Sequence, residues 1–477
     1  MNFRYLIVAL CIAGQVARAD GLPDLGDVSQ SAFSPLQEQQ IGESIMLEIR
    51  NDKSYLSDPE LTDYLNDLGY RLVSNSPDSR QAFEFFLIRD SSVNAFALPG
   101  GFIGVHTGLI TTAQSESELA GVVSHEVAHV TQRHLARMIS GQKQSTIMSL
   151  GLLALAILAA RVNSEVSQAA VAGAQATAIQ SQLDFTRDHE READRVGLQI
   201  LQKSGFDPRA MPSFFERLQK STRVIENNAP AYLRTHPLTY ERIADVQSRT
   251  QEMSYKQVPD SPAFQLLRAK LRANTGSAKE AVVYFEDSVQ EKKFTNEAAS
   301  RYGLVAALMR TKDYARAKQE MAVLRKIGPA SPIVDTLAGQ LKIATGDHSG
   351  ALEHYRQALK SHPGYRALVY DYAELLLQAR RGQEALALIN DQLQIHPSDS
   401  QLYLLQARSY AALDKKLLQH KAQAEAYVRL GTLPAAIEQL QIALRSGDGD
   451  FYQLSSVEAR LRELRAVDQE NRKAAQQ

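Results

Sequence analysis

The sequence predicts a mainly helical α+β domain with a small sheet, followed by an all-α solenoid of helical repeats. Three observations predict this. The first half mixes amphipathic helical stretches with short aromatic and aliphatic runs that read as strands. The second half is almost purely helical and repeats itself every 34 residues. Between them, Pro259, Pro262 and the polar stretch around them mark a linker.

At 477 residues the chain is too long for one ordinary domain. Hydrophobic residues at 44% and charged residues at 22% place it among globular proteins. Its 53 basic and 54 acidic residues leave a net charge of -1, which excludes the basic footprint of a nucleic-acid-binding protein. A single Cys excludes an internal disulfide framework.

Residues 1–19 read as an export signal. Arg4 supplies the positive end, Tyr5 to Gly14 a short apolar run, and Ala17-Arg18-Ala19 a small-x-small cleavage site before Asp20. The run is too short to span a bilayer. Cys11 follows the large Leu10, unlike the small residue that precedes a lipidated Cys. Cutting after Ala19 removes the only Cys, which suits an oxidising exported compartment.

In residues 20–258, Leu36 to Arg50 and Asp58 to Ser74 read as amphipathic helices. Phe83 to Arg89 reads as a strand, residues 94–101 as a turn, and Phe102 to His106 as a second strand. Glu118 to Ile139 and Asp188 to Lys203 are the next helices. Gln144 to Ala160 carries no formal charge, yet falls short of the about 20 residues of a membrane span. It reads as part of a helical hairpin beside the site, with possible peripheral contact to a membrane surface.

The repeats occupy 262–447, with 448–477 as a C-terminal helical tail. Pro329, Pro363 and Pro397 keep one spacing, as do Ala317, Ala351 and Ala385. An Ala twelve positions before a Pro, at period 34, is the later part of a tetratricopeptide repeat, where the small Ala lets two helices pack closely. The central copy also carries Gly339, Tyr355, Ala358 and Pro363 at the expected offsets. Ala281 and Ala436 suggest irregular flanking copies.

The chemistry lies in the first half. His125-Glu126-Val127-Ala128-His129 is an HExxH run within a helix. Histidines four apart share a helix face, so both imidazoles can reach one zinc ion. Glu126 borders that face, where its carboxylate can take a proton from an attacking water. Glu190-Arg191-Glu192-Ala193-Asp194 follows on a second helix. An ExxAD run after HExxH is the gluzincin pattern, which makes Glu190 the third ligand and gives Asp194, one turn later, a supporting place behind the ligands. Glu192 is the rival, but it lies about 160° round the helical wheel and cannot serve the same face.

Together with NAFALPGG at 94–101, His236-Pro237-Leu238 and Glu241-Arg242-Ile243, these motifs resemble the metallopeptidase family of the HtpX heat-shock protease and the CAAX prenyl protease. The resemblance spans roughly Asn94 to Asp245, and an export signal plus C-terminal repeats resembles a periplasmic branch of that family. It implies one Zn2+ per chain on His125, His129 and Glu190, Glu126 as general base and Asp194 as a proton donor. It also implies unfolded or misassembled outer-membrane β-barrel proteins as clients, and the barrel-assembly complex as a partner of the repeats.

The family places the segment of His236 beside the active site. His236 then either plugs the fourth metal position as a switch or donates a hydrogen bond to the transition state, and Arg242 stabilises the oxyanion. Phe102 to His106 is expected to offer a strand edge to an extended peptide. The expected activity is that of a zinc endopeptidase. The rival is a repeat-based chaperone or adaptor with a silent or structural zinc site.

Overall fold

The computed structural model describes residues 34–78, 81–139, 187–222, 230–253 and 257–474. The expected signal at 1–19 and the uncharged segment 144–160 lie outside the described residues. Among the described residues no helix is long and apolar enough to cross a membrane.

Helix α1 (Pro35–Asn51) opens on a capping box between Ser34 and Gln37, and α2 (Pro59–Val73) on the Asp58 carboxylate. Each cap satisfies backbone N–H groups that the first helical turn leaves open. Strands β1 (Glu84–Ile88), β2 (Ala95–Ala97) and β3 (Phe102–His106) form a sheet in the order β1-β3-β2. β3 runs parallel to β1 and antiparallel to β2, pairing Phe86 with Gly104 on one side and Phe96 with Gly104 on the other.

Two expectations change here. The turn at 94–101 contains β2, whose three residues are too few for alternation to register in the sequence. β3 is therefore paired on both sides and fully buried, so it has no free edge; β1 and β2 are the edge strands. Gly104 is required at the centre of the sheet, where a Cβ would sit 2.5 Å from the Phe96 ring and 2.8 Å from the Phe86 ring.

After α3 (Thr107–Thr112), Ser115 caps α4 (Glu116–Thr131), which carries HExxH. The expected single helix to Ile139 is broken: Arg133 adopts φ +51°, and a short α5 (His134–Ile139) starts in a new direction. Helix α6 (Arg187–Lys203) then packs along α4, followed by α7 (Ala210–Thr222), α8 (Ala231–Thr235) and α9 (Tyr240–Gln251).

Pro262 belongs to a helix rather than a linker, opening α10 (Pro262–Ala273) behind the Ser261 cap. Helices α11 (Ala278–Gln290), α12 (Glu297–Arg310), α13 (Tyr314–Ile327), α14 (Pro332–Ala344), α15 (His348–Ser361), α16 (Arg366–Gln378), α17 (Gly382–Ile395), α18 (Ser400–Ala412), α19 (Lys416–Arg429) and α20 (Leu433–Leu444) follow as antiparallel hairpins. α13, α15, α17 and α19 begin 34 residues apart, and Ala317, Ala351 and Ala385 are each fully buried. The tail forms α21 (Phe451–Ala474), which packs Val457, Leu461 and Leu464 against Leu440 and Ala443.

The two halves share material. One core cluster runs from Leu61 to Leu341, uninterrupted at the linker, with Phe264 of α10 6.4 Å from the Tyr64 ring of α2. Lys270 Nζ reaches Asp58 at 2.6 Å and the buried Glu60 at 2.7 Å, and Tyr365 donates to Glu60 at 3.1 Å. Arg366 pairs with Asp63 of α2 and Asp399 of the repeats.

Candidate metal centre

Helix α4 is covered all round: every one of its residues from Glu116 to Val130 is buried. Its polar side chains therefore need partners inside the protein. α6 crosses close enough to supply them. At Gly197 a Cβ would lie 3.0 Å from His125 Cα and 3.1 Å from Ser124 O, so only glycine permits this approach without displacement. Asp194 and Glu190 stand three and seven residues earlier on the same helix face, opposite His125 and His129.

Four buried groups converge: His125, His129, Glu190 and His236. His129 Nε2 is 3.0 Å from His125 Nε2, and Glu190 Oε1 is 3.3 Å from His129 Nε2. Glu190 Oε2 is 3.5 Å from His125 Nε2, while His236 Nδ1 stands 3.0 Å from Glu190 Oε1 and 3.4 Å from His125 Nε2. A tetrahedron with bonds of about 2.0–2.1 Å has edges of roughly 3.3 Å, so these spacings fit a zinc-sized ion.

The electrostatics agree with a cation site. Burial would lower His125, yet its hydrogen bonds to Asp194 and Glu190 prevail and push it up to about 10. Positive charge is stabilised at this point, and a bound cation supplies that charge in place of the proton. Burial drives His129 well below its usual range, the neutral form a ligand needs. Burial would raise Glu190, but His236, His125 and His129 hold it well below the usual carboxylate range.

Glu126 is fully enclosed, and neither carboxylate oxygen has a well-aligned hydrogen-bond partner among the described residues, the Ala97 backbone offering only a weak one. The nearest cation-capable group is His236 Nε2 at 3.5 Å. Burial raises its pKa, partly opposed by His236 and His125. Such an enclosed, unsatisfied carboxylate is costly to the fold and suits a group waiting for a reacting proton.

Asp194 and Arg242 pair with each other beside the donor cluster. Asp194 Oδ1 lies 3.0 Å from His125 Nδ1, behind the ligand, which is the supporting place that the sequence pattern suggested. Burial would raise it, but its bonds to His125 and Arg242 prevail and hold it below the usual carboxylate range. Arg242 grips Asp194 through Nε and Nη2, both at 2.8 Å, and Glu190 through Nη1 at 2.7 Å. Its guanidinium thus faces the two carboxylates.

Two neighbours, His134 and Tyr232, escaped the sequence reading. His134, five residues after His129, is buried with Nδ1 2.9 Å from His129 Nδ1. Glu192 points away from the four-group cluster, as the wheel predicts, and stands 3.1 Å from His134 Nε2. Tyr232 is buried on α8 with its ring stacked on His236 at 4.7 Å. A histidine just past HExxH was the visible signal for the first; nothing local marks Tyr232.

Residues 59–250 match peptidase family M48, and residues 342–409 match a tetratricopeptide repeat. The chain is similar to the beta-barrel assembly-enhancing protease of Escherichia coli (strain K12), at 34% identity over 98% of this chain and 97% of that one. A putative beta-barrel assembly-enhancing protease of Vibrio cholerae is 32% identical, covering 91% of this chain and 96% of its own length. The mitochondrial metalloendopeptidase OMA1 of Arabidopsis thaliana is 35% identical over a shorter stretch, 33% of this chain and 29% of that one.

Proposed function

The chain belongs to peptidase family M48 as a metallopeptidase joined to tetratricopeptide repeats, and from that premise we propose a zinc-dependent endopeptidase of the periplasm that degrades misfolded or stalled outer-membrane β-barrel proteins. The repeats help client assembly and dock the barrel-assembly complex. The domains in this reading are an export signal at 1–19, a peptidase at 20–258, a repeat domain at 262–447 and a helical tail. The observation that carries it is the buried four-donor cluster beside the unsatisfied Glu126.

His125, His129 and Glu190 would hold the metal, which when bound would polarise the scissile carbonyl and acidify a water. Glu126 takes the water's proton and passes it to the leaving amine. Asp194 fixes His125 through Nδ1, and Arg242 fixes both Asp194 and Glu190, acting through them as a positioning residue. An extended client docks on β2, the sheet edge beside α4, by backbone hydrogen bonds that tolerate many sequences.

His236 is the plug in this reading. Its Nδ1 lies in the donor cluster and its Nε2 is 3.5 Å from Glu126, so it would take the fourth position and cover the base together. His236→Ala should raise basal cleavage, whereas a transition-state donor would lose cleavage on the same change. The test of the whole reading is zinc stoichiometry measured with casein cleavage. Cleavage lost in Glu126→Gln with zinc retained supports the peptidase; client handling unchanged in that variant supports a chaperone with a silent zinc site.

A further inference from the structure

The two metal-site histidines of α4 are supported in different ways. His125 Nδ1 meets a carboxylate, Asp194 Oδ1, at 3.0 Å. His129 Nδ1 meets another imidazole, His134 Nδ1, at 2.9 Å. That second imidazole continues outward, its Nε2 lying 3.1 Å from Glu192 Oε2, and Arg137 Nη1 donates to the same oxygen at 2.9 Å.

We propose that His134 and Glu192 form a hydrogen-bond relay that fixes the tautomer and orientation of His129 for metal binding. This rests on the metal reading above. Proton positions follow from one requirement. A neutral His129 that offers its Nε2 lone pair to a metal carries its proton on Nδ1. That proton needs an acceptor, so His134 Nδ1 must be bare and its own proton must sit on Nε2. There the acceptor is Glu192 Oε2, an oxygen that accepts from Arg137 as well. The opposite polarity, with His134 Nδ1–H donating to His129, would put the His129 proton on Nε2, inside the donor cluster.

The chain's local structure builds this arrangement. α4 ends two residues after His129, and the left-handed turn at Arg133 folds the next residue back beneath it. His189, the residue before the ligand Glu190, stacks on His134 with centroids 4.6 Å apart and planes at 18°, restricting its rotation. Glu192 stands two residues beyond Glu190, so α6 supplies a ligand on one face and the end of the relay on another.

The test compares zinc affinity, by competition with a chelator, in the full chain and in His134→Leu, Glu192→Ala and Glu192→Gln. His134→Leu and Glu192→Ala should weaken zinc binding about 10–100-fold. Glu192→Gln, which keeps an acceptor oxygen, should recover most of that loss, a rescue that a space-filling role does not predict. Nitrogen-15 shifts of labelled histidines in the zinc-loaded parent should show His134 protonated on Nε2 and bare on Nδ1, a readout that stands even where His134→Leu fails to fold. Zinc affinity within twofold of the parent in His134→Leu, or a proton on His134 Nδ1, overturns the relay alone. A parent chain that binds no zinc overturns the relay and the metal reading together.

Discussion

A helix crossing over a glycine in the peptidase and one in the repeats differ in what their closeness achieves. At Gly197, α6 approaches the backbone of α4 and brings Glu190 and Asp194 against two histidines. At Gly339, α14 approaches α15, where a Cβ would sit 2.3 Å from the Tyr355 ring and no donor of the metal cluster is involved. The repeat contact has equivalents at Gly303, Ala373 and Ala407, spaced by 36 and then 34 residues. The site contact has none. In the solenoid one packing rule is spread over many copies, whereas in the peptidase each polar atom has a single place.

The largest effect expected is on the side without copies. Glu126→Gln replaces one carboxylate oxygen with an amide, and loss of the general base should cost on the order of 10²-fold or more in peptidase rate. Because Glu126 lies outside the four-donor cluster, zinc content and fold should persist. Zinc measured alongside cleavage checks this, and zinc loss in the variant would show that Glu126 had been misassigned.

The two glycines sharpen the comparison directly. Gly339→Ala drives a methyl into the buried Tyr355 ring and should cost about 1–3 kcal/mol as overpacking, with zinc affinity unchanged. Gly197→Ala needs only a few tenths of an ångström from α4, and the better helix propensity of Ala returns up to about 1 kcal/mol. Its stability should hardly change, while zinc affinity falls about tenfold as Glu190 and Asp194 move with their helix. Denaturant unfolding and zinc titration on both variants decide it. Equal zinc losses would erase the distinction between the two crossings.

The same contrast explains what the sequence made legible. The repeats could be read because Ala317, Ala351 and Ala385 multiply one weak signal; the turns between those helices could not. Residues 312, 346, 380 and 414 all adopt positive φ at the 34-residue period, but only position 346 is Gly, the others being Lys, Arg and Asp. In the site, His125, Glu126, His129 and Glu190 were legible because metal chemistry restricts residue type and spacing together. His134, Tyr232 and the partners of Arg242 were not, since their meaning depends on tertiary contacts. β2 was missed because three residues carry no periodicity, and its omission left β3 with a free edge it does not have.

The smallest expected effect lies where the two regions meet. Arg366 joins Asp63 of α2 to Asp399 at the start of α18, so Arg366→Ala removes one ionic link between the peptidase and the repeats and leaves that of Lys270 with Asp58 and Glu60. Asp63 is 36% exposed at its side chain, and a pair so accessible to water and salt contributes no more than about 1 kcal/mol. Asp399 is not stranded by the change, because it still caps α18 by accepting from the N–H groups of Gln401 and Leu402, and Tyr370 still donates to it. The apolar contact of Phe264 with Tyr64 also remains. The variant should therefore fold with its peptidase activity intact and a small loss of stability. That loss should shrink as salt is raised from low ionic strength, because screening weakens the pair in the parent chain. Unfolding midpoints of parent and variant at low and high salt provide the measurement. A difference that stays constant with salt would mean that Arg366 joins the two regions by packing its stem rather than by charge.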